Sequence, residues 1–283
     1  MLKLKTPAKI NLFLEILNKR PDGYHNLVSI MQTVSLFDEL TIESLSNDTI
    51  EIESNNKEIP TDSRNLVYKA AQAVKEKFNI KQGVKIYIDK QIPICAGLGG
   101  GSSNAAGTIK GLIELWGIMP LDEISKNEQI RLLSSKLGAD VPFFLTGGTT
   151  LCEGIGDIVA PIKSIGKKNV ILINPNFSVS TSEVYNRIKF PLTKISQMYK
   201  IPTDFKHWSL DKNDLFNRLE EFVFPYNPEI AKIKFLLIQA GCLALMSGSG
   251  STVFGISKSK DHSDEIIKKL NQYNWKIYNT ETH

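Results

Sequence analysis

The stretch Pro93-Ile94-Cys95-Ala96-Gly97-Leu98-Gly99-Gly100-Gly101-Ser102-Ser103-Asn104-Ala105-Ala106 carries the residue types that hold an anion. Gly97, Gly99, Gly100 and Gly101 open main-chain conformations closed to other residues and let backbone N–H groups approach a ligand closely. The first turn of a following helix adds unpaired N–H groups and partial positive charge, and Ser102 and Ser103 add hydroxyls, so a phosphate is the expected guest. No Lys-Ser or Lys-Thr pair closes the run as in a Walker A loop, and no acidic residue stands where a dinucleotide fingerprint requires one.

The flanks place this run between a strand and a helix. Val84, Ile86, Ile88 and Ile92 share one parity before it, and Ala105, Ala106, Ile109, Leu112, Ile113 and Trp116 recur at helical spacing after it. A flexible Gly/Ser linker has no reason to sit there. In the first segment Leu2, Leu4, Ala8, Ile10, Leu12, Leu14 and Ile16 alternate with Lys3, Lys5, Lys9, Asn11 and Glu15, a half-buried strand whose Lys9 and Asn11 are expected on the face opposite the core. Pro7 is expected at an edge or a bulge.

A turn over Asn18 to Gly23 leads to Tyr24 and His25, ahead of a strand from Leu27. Strands at 39–44 and 48–54 read as a hairpin around Ser46-Asn47-Asp48. Leu66, Ala70, Val74 and Phe78 mark an amphipathic helix that Ser63 or Asn65 could cap. Another helix over 126–137 is expected to stop at Gly138 in a left-handed cap, with Asp140 just beyond. A carboxylate there meets the negative end of the helix dipole and needs a cation, for which Lys9 is the candidate.

A domain boundary is expected near 155–168. Beyond it the pattern gives a strand at 169–174, a helix from the capping box Ser180-Thr181-Ser182-Glu183, helices at 213–224 and 228–240, strands at 242–247 and 251–257, a helix at 262–272 and a strand at 274–280. Without the extra helices this is β-α-β-β-α-β, the ferredoxin-like order. Gly248-Ser249-Gly250-Ser251 joins two of the strands, a position where a plain turn suffices.

The chain's 283 residues suit two compact units. With 42% hydrophobic and 23% charged residues and no apolar run long enough to cross a bilayer, the composition points away from disorder and from the membrane. Met1 to Lys5 enters a strand without a signal core, and Cys95, Cys152 and Cys242 are widely spaced, which together imply a reducing, cytoplasmic setting. A net charge of +4 on scattered lysines does not imply nucleic acid.

The glycine run resembles the nucleotide-phosphate loop of the GHMP kinases, the superfamily of galactokinase, homoserine kinase and mevalonate kinase. Three further stretches resemble the superfamily in the same order: Thr6-Pro7-Ala8-Lys9-Ile10-Asn11-Leu12, Gly138-Ala139-Asp140-Val141-Pro142-Phe143-Phe144 and Met246-Ser247-Gly248-Ser249-Gly250-Ser251-Thr252-Val253-Phe254. One departure is Cys95, where the family commonly has glycine. The resemblance implies an α+β, two-domain fold, with a ribosomal-protein-S5-like N-terminal domain over 1–158 that binds nucleotide and a ferredoxin-like C-terminal domain over 159–283. It implies ATP and Mg2+, with Asn65 at the adenine, Pro93, Gly97, Leu98, Gly99, Gly100, Gly101, Ser102 and Ser103 at the nucleotide, and Ser102 or Ser103 near the metal.

By the same resemblance Lys9 lies at the transferred phosphate, Asn11 contacts the acceptor, and Asp140 either takes the acceptor's proton or holds its hydroxyl in line. Asp22-Gly23-Tyr24-His25 resembles the pyrimidine-reading corner of the branch whose acceptor is a cytidine diphosphate-linked polyol, with Tyr185 as a second aromatic wall. The implied partner is that small molecule, without nucleic acid or membrane, and the chain is expected as a monomer or weak homodimer. Rival readings are a GHMP kinase for homoserine or mevalonate, a nucleotide-binding protein that has lost transfer, and an RNA-binding domain.

Overall fold

The alternating first segment forms strand β1 (Leu2–Lys19), but it is not half-buried. Lys9, Asn11 and Glu15 are buried along with Ala8, Ile10 and Leu12, so both faces are covered over residues 8–16. The expectation of a half-buried strand is therefore corrected for that stretch. The computed structural model describes residues 1–119, 123, 124, 127–190, 192, 208, 210 and 214–283. Two compact units emerge, one of residues 1–8, 36–92 and 99–146, the other of 9–35, 93–98 and 147–283. Strands β1 and β2 (His25–Leu45) run through both, and the chain passes from one to the other inside the glycine run.

In the first unit β2 pairs antiparallel with β4 (Gly83–Asp89), from Glu39 opposite Asp89 to Leu45 opposite Gly83. β3 (Ile50–Ser54) lies on the far side of β4 and parallel to it, so the hairpin expected between 39–44 and 48–54 does not form. The apolar residues explain the order: Val84, Ile86 and Ile88 are buried and take the inner position, whereas β3 alternates with exposed glutamates and suits an edge. Helix α1 (Leu66–Phe78) begins where Asn65 accepts the Val67 N–H and ends at Asn79 in a left-handed cap. Helix α2 (Gly100–Leu115) is buried along most of its length. Helix α3 (Glu128–Leu137) starts at Asn127, whose side chain accepts two backbone N–H groups. It stops at Gly138 with φ 171°, extended rather than left-handed, and a short helix α4 (Val141–Thr146) follows.

In the second unit β5 (Thr149–Glu153) adds to β2 through Ser29 to Gln32, and β6 (Ile158–Pro161) folds back on β5. The rest builds a four-stranded antiparallel sheet from β7 (Asn169–Asn174), β9 (Leu243–Met246), β10 (Val253–Ser257) and β11 (Lys276–Glu281), in the order β11-β7-β10-β9. This is the ferredoxin-like arrangement. Its helices are α5 (Thr181–Asn186), capped by Ser180 as expected, α6 (Glu220–Val223), α7 (Pro228–Gln239) and α8 (Lys260–Leu270). Of the helix expected over 213–224, residue 213 lies outside the described residues and the rest is largely replaced. Phe216 and Asn217 form a two-residue strand, β8, parallel to Phe13 and Leu14 of β1, and only 220–223 are helical. Side-chain bonds of Asn217, described below, favour extended over helical backbone there. The core gathers Leu14, Ile16, Leu27, Ile171, Ile173, Ile230, Ile233, Leu237 and Met246.

Gly107 of α2 marks a close approach in the first unit, for a Cβ there would lie 2.3 Å from Thr6 Cγ2 and 3.1 Å from Leu40 Cδ1. Gly107→Ala is expected to lower unfolding free energy by about 1–3 kcal/mol, overpacking outweighing the better helix former, with urea denaturation as the measurement. Unchanged stability would contradict this packing.

Candidate active site

Three residues around the glycine run have positive φ: Cys95 (51°), Gly97 (76°) and Gly99 (69°). The left-handed φ of Cys95 explains why glycine is the natural occupant of that position. Gly99 precedes α2 as its cap, and its carbonyl accepts the Ser103 N–H at 2.9 Å. Ser103 is buried, and its Oγ has no hydrogen-bond partner among the described residues. A buried hydroxyl without a partner is costly unless a ligand supplies one, so this first turn fits the phosphates of a nucleotide.

Within the first unit the run is anchored by a buried pair that the sequence reading missed. Lys90 Nζ lies 2.6 Å from Asp38 Oδ2 and 2.6 Å from the Ile92 carbonyl. Asp38 Oδ1 accepts the Gln91 and Ile92 N–H groups at 2.7 and 2.8 Å. Burial pushes the Lys90 pKa down, against the pull of Asp38. An aspartate on the same parity as Leu36, Leu40 and Ile42 in a strand pattern was the available signal. Gly138 packs near Ser102, its absent Cβ 3.8 Å from Ser102 Oγ, which sets the 138–140 turn beside the start of α2.

Asp140 directly precedes α4, and its carbonyl accepts the Phe144 N–H at 3.4 Å. Asp140 thus stands between the end of α3 and the start of α4, so the expected unfavourable helix C-terminus is met by a helix N-terminus, where negative charge is favoured. Asn65 is held by two bonds, its Oδ1 accepting from Val67 N at 2.9 Å and its Nδ2 donating to the Pro60 carbonyl at 2.7 Å.

The second unit collects Pro93 to Leu98, Lys9, Asn11 and the loop between β9 and β10. Ser247 Oγ donates to the Gly97 carbonyl at 2.9 Å, and Thr252 N donates to the Ala96 carbonyl at 3.2 Å. The 247–252 loop therefore braces the glycine run. A Cβ on Gly97 would stand 2.1 Å from the Ser247 carbonyl oxygen, so only glycine fits. Lys9 N donates to the Leu98 carbonyl at 3.0 Å, and Lys9 Nζ to Asn11 Oδ1 at 2.6 Å. Asn11 Nδ2 donates to Ser29 Oγ at 2.9 Å, and Ser29 Oγ donates to the Phe13 carbonyl at 2.6 Å. Gly248 leaves room for this group, its absent Cβ 3.3 Å from Lys9 Nζ.

Elsewhere in that unit His25 is 6% exposed, with Tyr185 tilted against it at 5.3 Å and Phe190 stacked at 5.9 Å. Its Nε2 has no hydrogen-bond partner among the described residues. Burial, and then the charge of Lys19, pushes its pKa down, so the ring is neutral near pH 7. Tyr24 is 61% exposed, with its N–H tied to Asp22 Oδ1 at 3.1 Å. Phe190, lying after the short helix α5 with no periodicity to mark it, was missed.

The chain matches the GHMP kinases N terminal domain over residues 65–148 and the GHMP kinases C terminal domain over 205–276. It is 40% identical to the 4-diphosphocytidyl-2-C-methyl-D-erythritol kinase of Bacillus mycoides (strain KBAB4), covering 98% of this chain and 95% of the relative. To the enzyme of that name from Caldicellulosiruptor saccharolyticus it is 41% identical, covering 99% and 96%. The chain belongs to this family of GHMP kinases. A crystal structure of 4-(cytidine 5'-diphospho)-2C-methyl-D-erythritol kinase superposes over the whole of both chains with TM-score 0.78 and 29% identity. The chain is thus an ATP-dependent phosphotransferase with the two-domain GHMP fold. No helix among the described residues is long and apolar enough to cross a membrane.

The neutral burial of His25 has a pH consequence. Because its folded pKa lies below the unfolded value of about 6.5, its contribution to stability is complete above that pH and is lost as pH falls toward the folded value. The thermal midpoint of the parent is expected to fall more steeply below about pH 6.5 than that of His25→Gln. Parallel curves from scanning calorimetry would refute this.

Proposed function

We propose that the chain transfers the γ-phosphoryl group of ATP to the 2-hydroxyl of 4-diphosphocytidyl-2-C-methyl-D-erythritol, in the non-mevalonate route to isoprenoid precursors, as a cytoplasmic enzyme. The observation that carries the acceptor assignment is His25: buried, neutral, flanked by Tyr185 and Phe190, and with an unused ring nitrogen. An aromatic wall supplies area and one polar edge supplies discrimination, which suits a single pyrimidine. Tyr24, exposed at the adjoining turn, would close over the base. A homoserine or mevalonate kinase has no base to read and no use for such a corner.

The backbone of 97–101 and the first turn of α2 would hold the ATP phosphates, with the Ser103 hydroxyl given its missing partner. Magnesium, when bound, neutralises phosphate charge, and Ser102 or Ser103 would help hold it. Among the described residues no group of three or more His, Cys, Asp or Glu gathers for a metal. Lys9 stabilises charge on the transferred phosphoryl oxygens, and Asn11 fixes the Lys9 ammonium while facing the acceptor. Asp140 takes the hydroxyl proton or holds that hydroxyl in line. Binding energy from the distant base then positions the reacting alcohol.

Asp140→Asn is expected to lower kcat by about 100-fold or more with little change in the KM for ATP, measured by ADP release and product mass. Turnover within a few-fold of the parent, or equal phosphorylation of acceptors lacking cytidine, would overturn the assignment.

A further inference from the structure

Asn217 lies outside every motif that the kinase resemblance rests on, yet it holds the loop against which Lys9 and Gly97 are set. The residue is 3% exposed, and its carboxamide bonds through both nitrogen and oxygen. Nδ2 donates to the Met246 carbonyl at 2.7 Å and to the Gly248 carbonyl at 2.8 Å, and Oδ1 accepts the Leu219 N–H at 2.9 Å. The two carbonyls lie on either side of Ser247, the residue whose hydroxyl reaches Gly97. One side chain therefore sets the path of the backbone through Met246, Ser247 and Gly248.

Asn217 is itself held firmly. Its neighbour Arg218 donates backbone N–H to the Leu14 carbonyl at 2.9 Å, and its guanidinium, fully buried, makes two 2.7 Å bonds to the Glu15 carboxylate. Glu221 accepts from the same guanidinium at 2.5 Å. Glu220 grips the loop from its other edge, Oε1 accepting the Met246 N–H at 2.9 Å while Lys234 binds Oε2 at 2.5 Å. A bidentate arginine pair between a buried strand and this turn fixes direction as well as distance. Met246 is thus clamped at both its carbonyl and its N–H by the 217–220 turn, which is in turn bolted to β1, the strand that carries Lys9 and Asn11.

We propose that Asn217 is a positioning residue for phosphoryl transfer. It touches neither nucleotide nor acceptor, and acts by holding the 246–248 backbone so that Gly248 stays against Lys9 and Ser247 keeps Gly97 in place. The inference rests on the kinase reading of Lys9 above. Loss of the carboxamide frees two carbonyls, lets the loop drift by a fraction of an ångström, and misplaces groups that act on the transferred phosphoryl.

The test compares steady-state kinetics of the parent, Asn217→Ala, Asn217→Asp and Lys9→Ala, with Ile233→Val as a core variant that loses stability away from the loop. Asn217→Asp keeps the size but sets a carboxylate against two carbonyls. Both Asn217 variants are expected to lose kcat by about 100-fold, with the KM for the acceptor changed far less, while Ile233→Val keeps the parental kcat. Hydrogen exchange in the folded variants should rise at the 247–252 loop and remain parental in α8. If Lys9→Ala loses turnover while both Asn217 variants keep kcat within a few-fold, the positioning role is wrong and the kinase reading stands. If Lys9→Ala turns over normally, the reading and the inference fall together. If neither Asn217 variant folds, the residue serves folding and the inference is overturned.

Discussion

The site depends on the contact of one backbone with another. At Gly97 the main chain comes so near the Ser247 carbonyl that a methyl group would sit at 2.1 Å from the oxygen, inside any permitted distance. Two hydrogen bonds, from Ser247 Oγ to Gly97 and from Thr252 N to Ala96, hold the loops together. The same stretch hands the Leu98 carbonyl to Lys9 N. A flexible glycine run gains a defined shape only from neighbours of this kind, because glycine itself favours no single conformation. A phosphate cradle must be formed before its ligand arrives if its N–H groups are to act without reorganisation.

Burial of charged and polar side chains is the second theme. Lys9, Asn11 and Ser29 form one chain of bonds, Lys90 and Asp38 another, and Glu15 and Arg218 a third. Such groups are expensive to take out of water, and each is kept by partners that satisfy its donors and acceptors. Two atoms break the pattern among the described residues of the proposed site: Ser103 Oγ and His25 Nε2. One sits at the start of α2, the other at the corner proposed for a base. An unmet buried atom is where a ligand gains most, since binding there supplies the partner that burial takes away.

The GHMP kinases share a phosphate loop and differ in acceptor, so specificity must lie away from the transferred group. In this chain the two sets of residues come from different elements. The aromatic corner of His25, Tyr185 and Phe190 belongs to β2, α5 and the segment after it, whereas the proposed phosphate cradle belongs to the end of the loop after β4 and to α2. Binding energy collected at a remote base can fix the reacting alcohol without altering the chemistry of transfer.

Much was legible in the residues alone. Period-2 and period-3.6 patterns located α1, α2, α7, α8 and the ferredoxin-like strands, because each buries one face and repeats at the spacing of its own geometry. The glycine run and Asp140 stood out by type and local spacing. Partners separated by long stretches of chain were not legible: that β4 separates β3 from β2, that Phe216 and Asn217 are extended, that Asp140 opens a helix, and that both faces of β1 are covered over residues 8–16. Local periodicity reports which side of an element is apolar, and the chain by itself settled that. Which element covers that side, and therefore whether Lys9 meets water or Asn11, is decided by packing between segments distant in sequence, and only the folded molecule determines it.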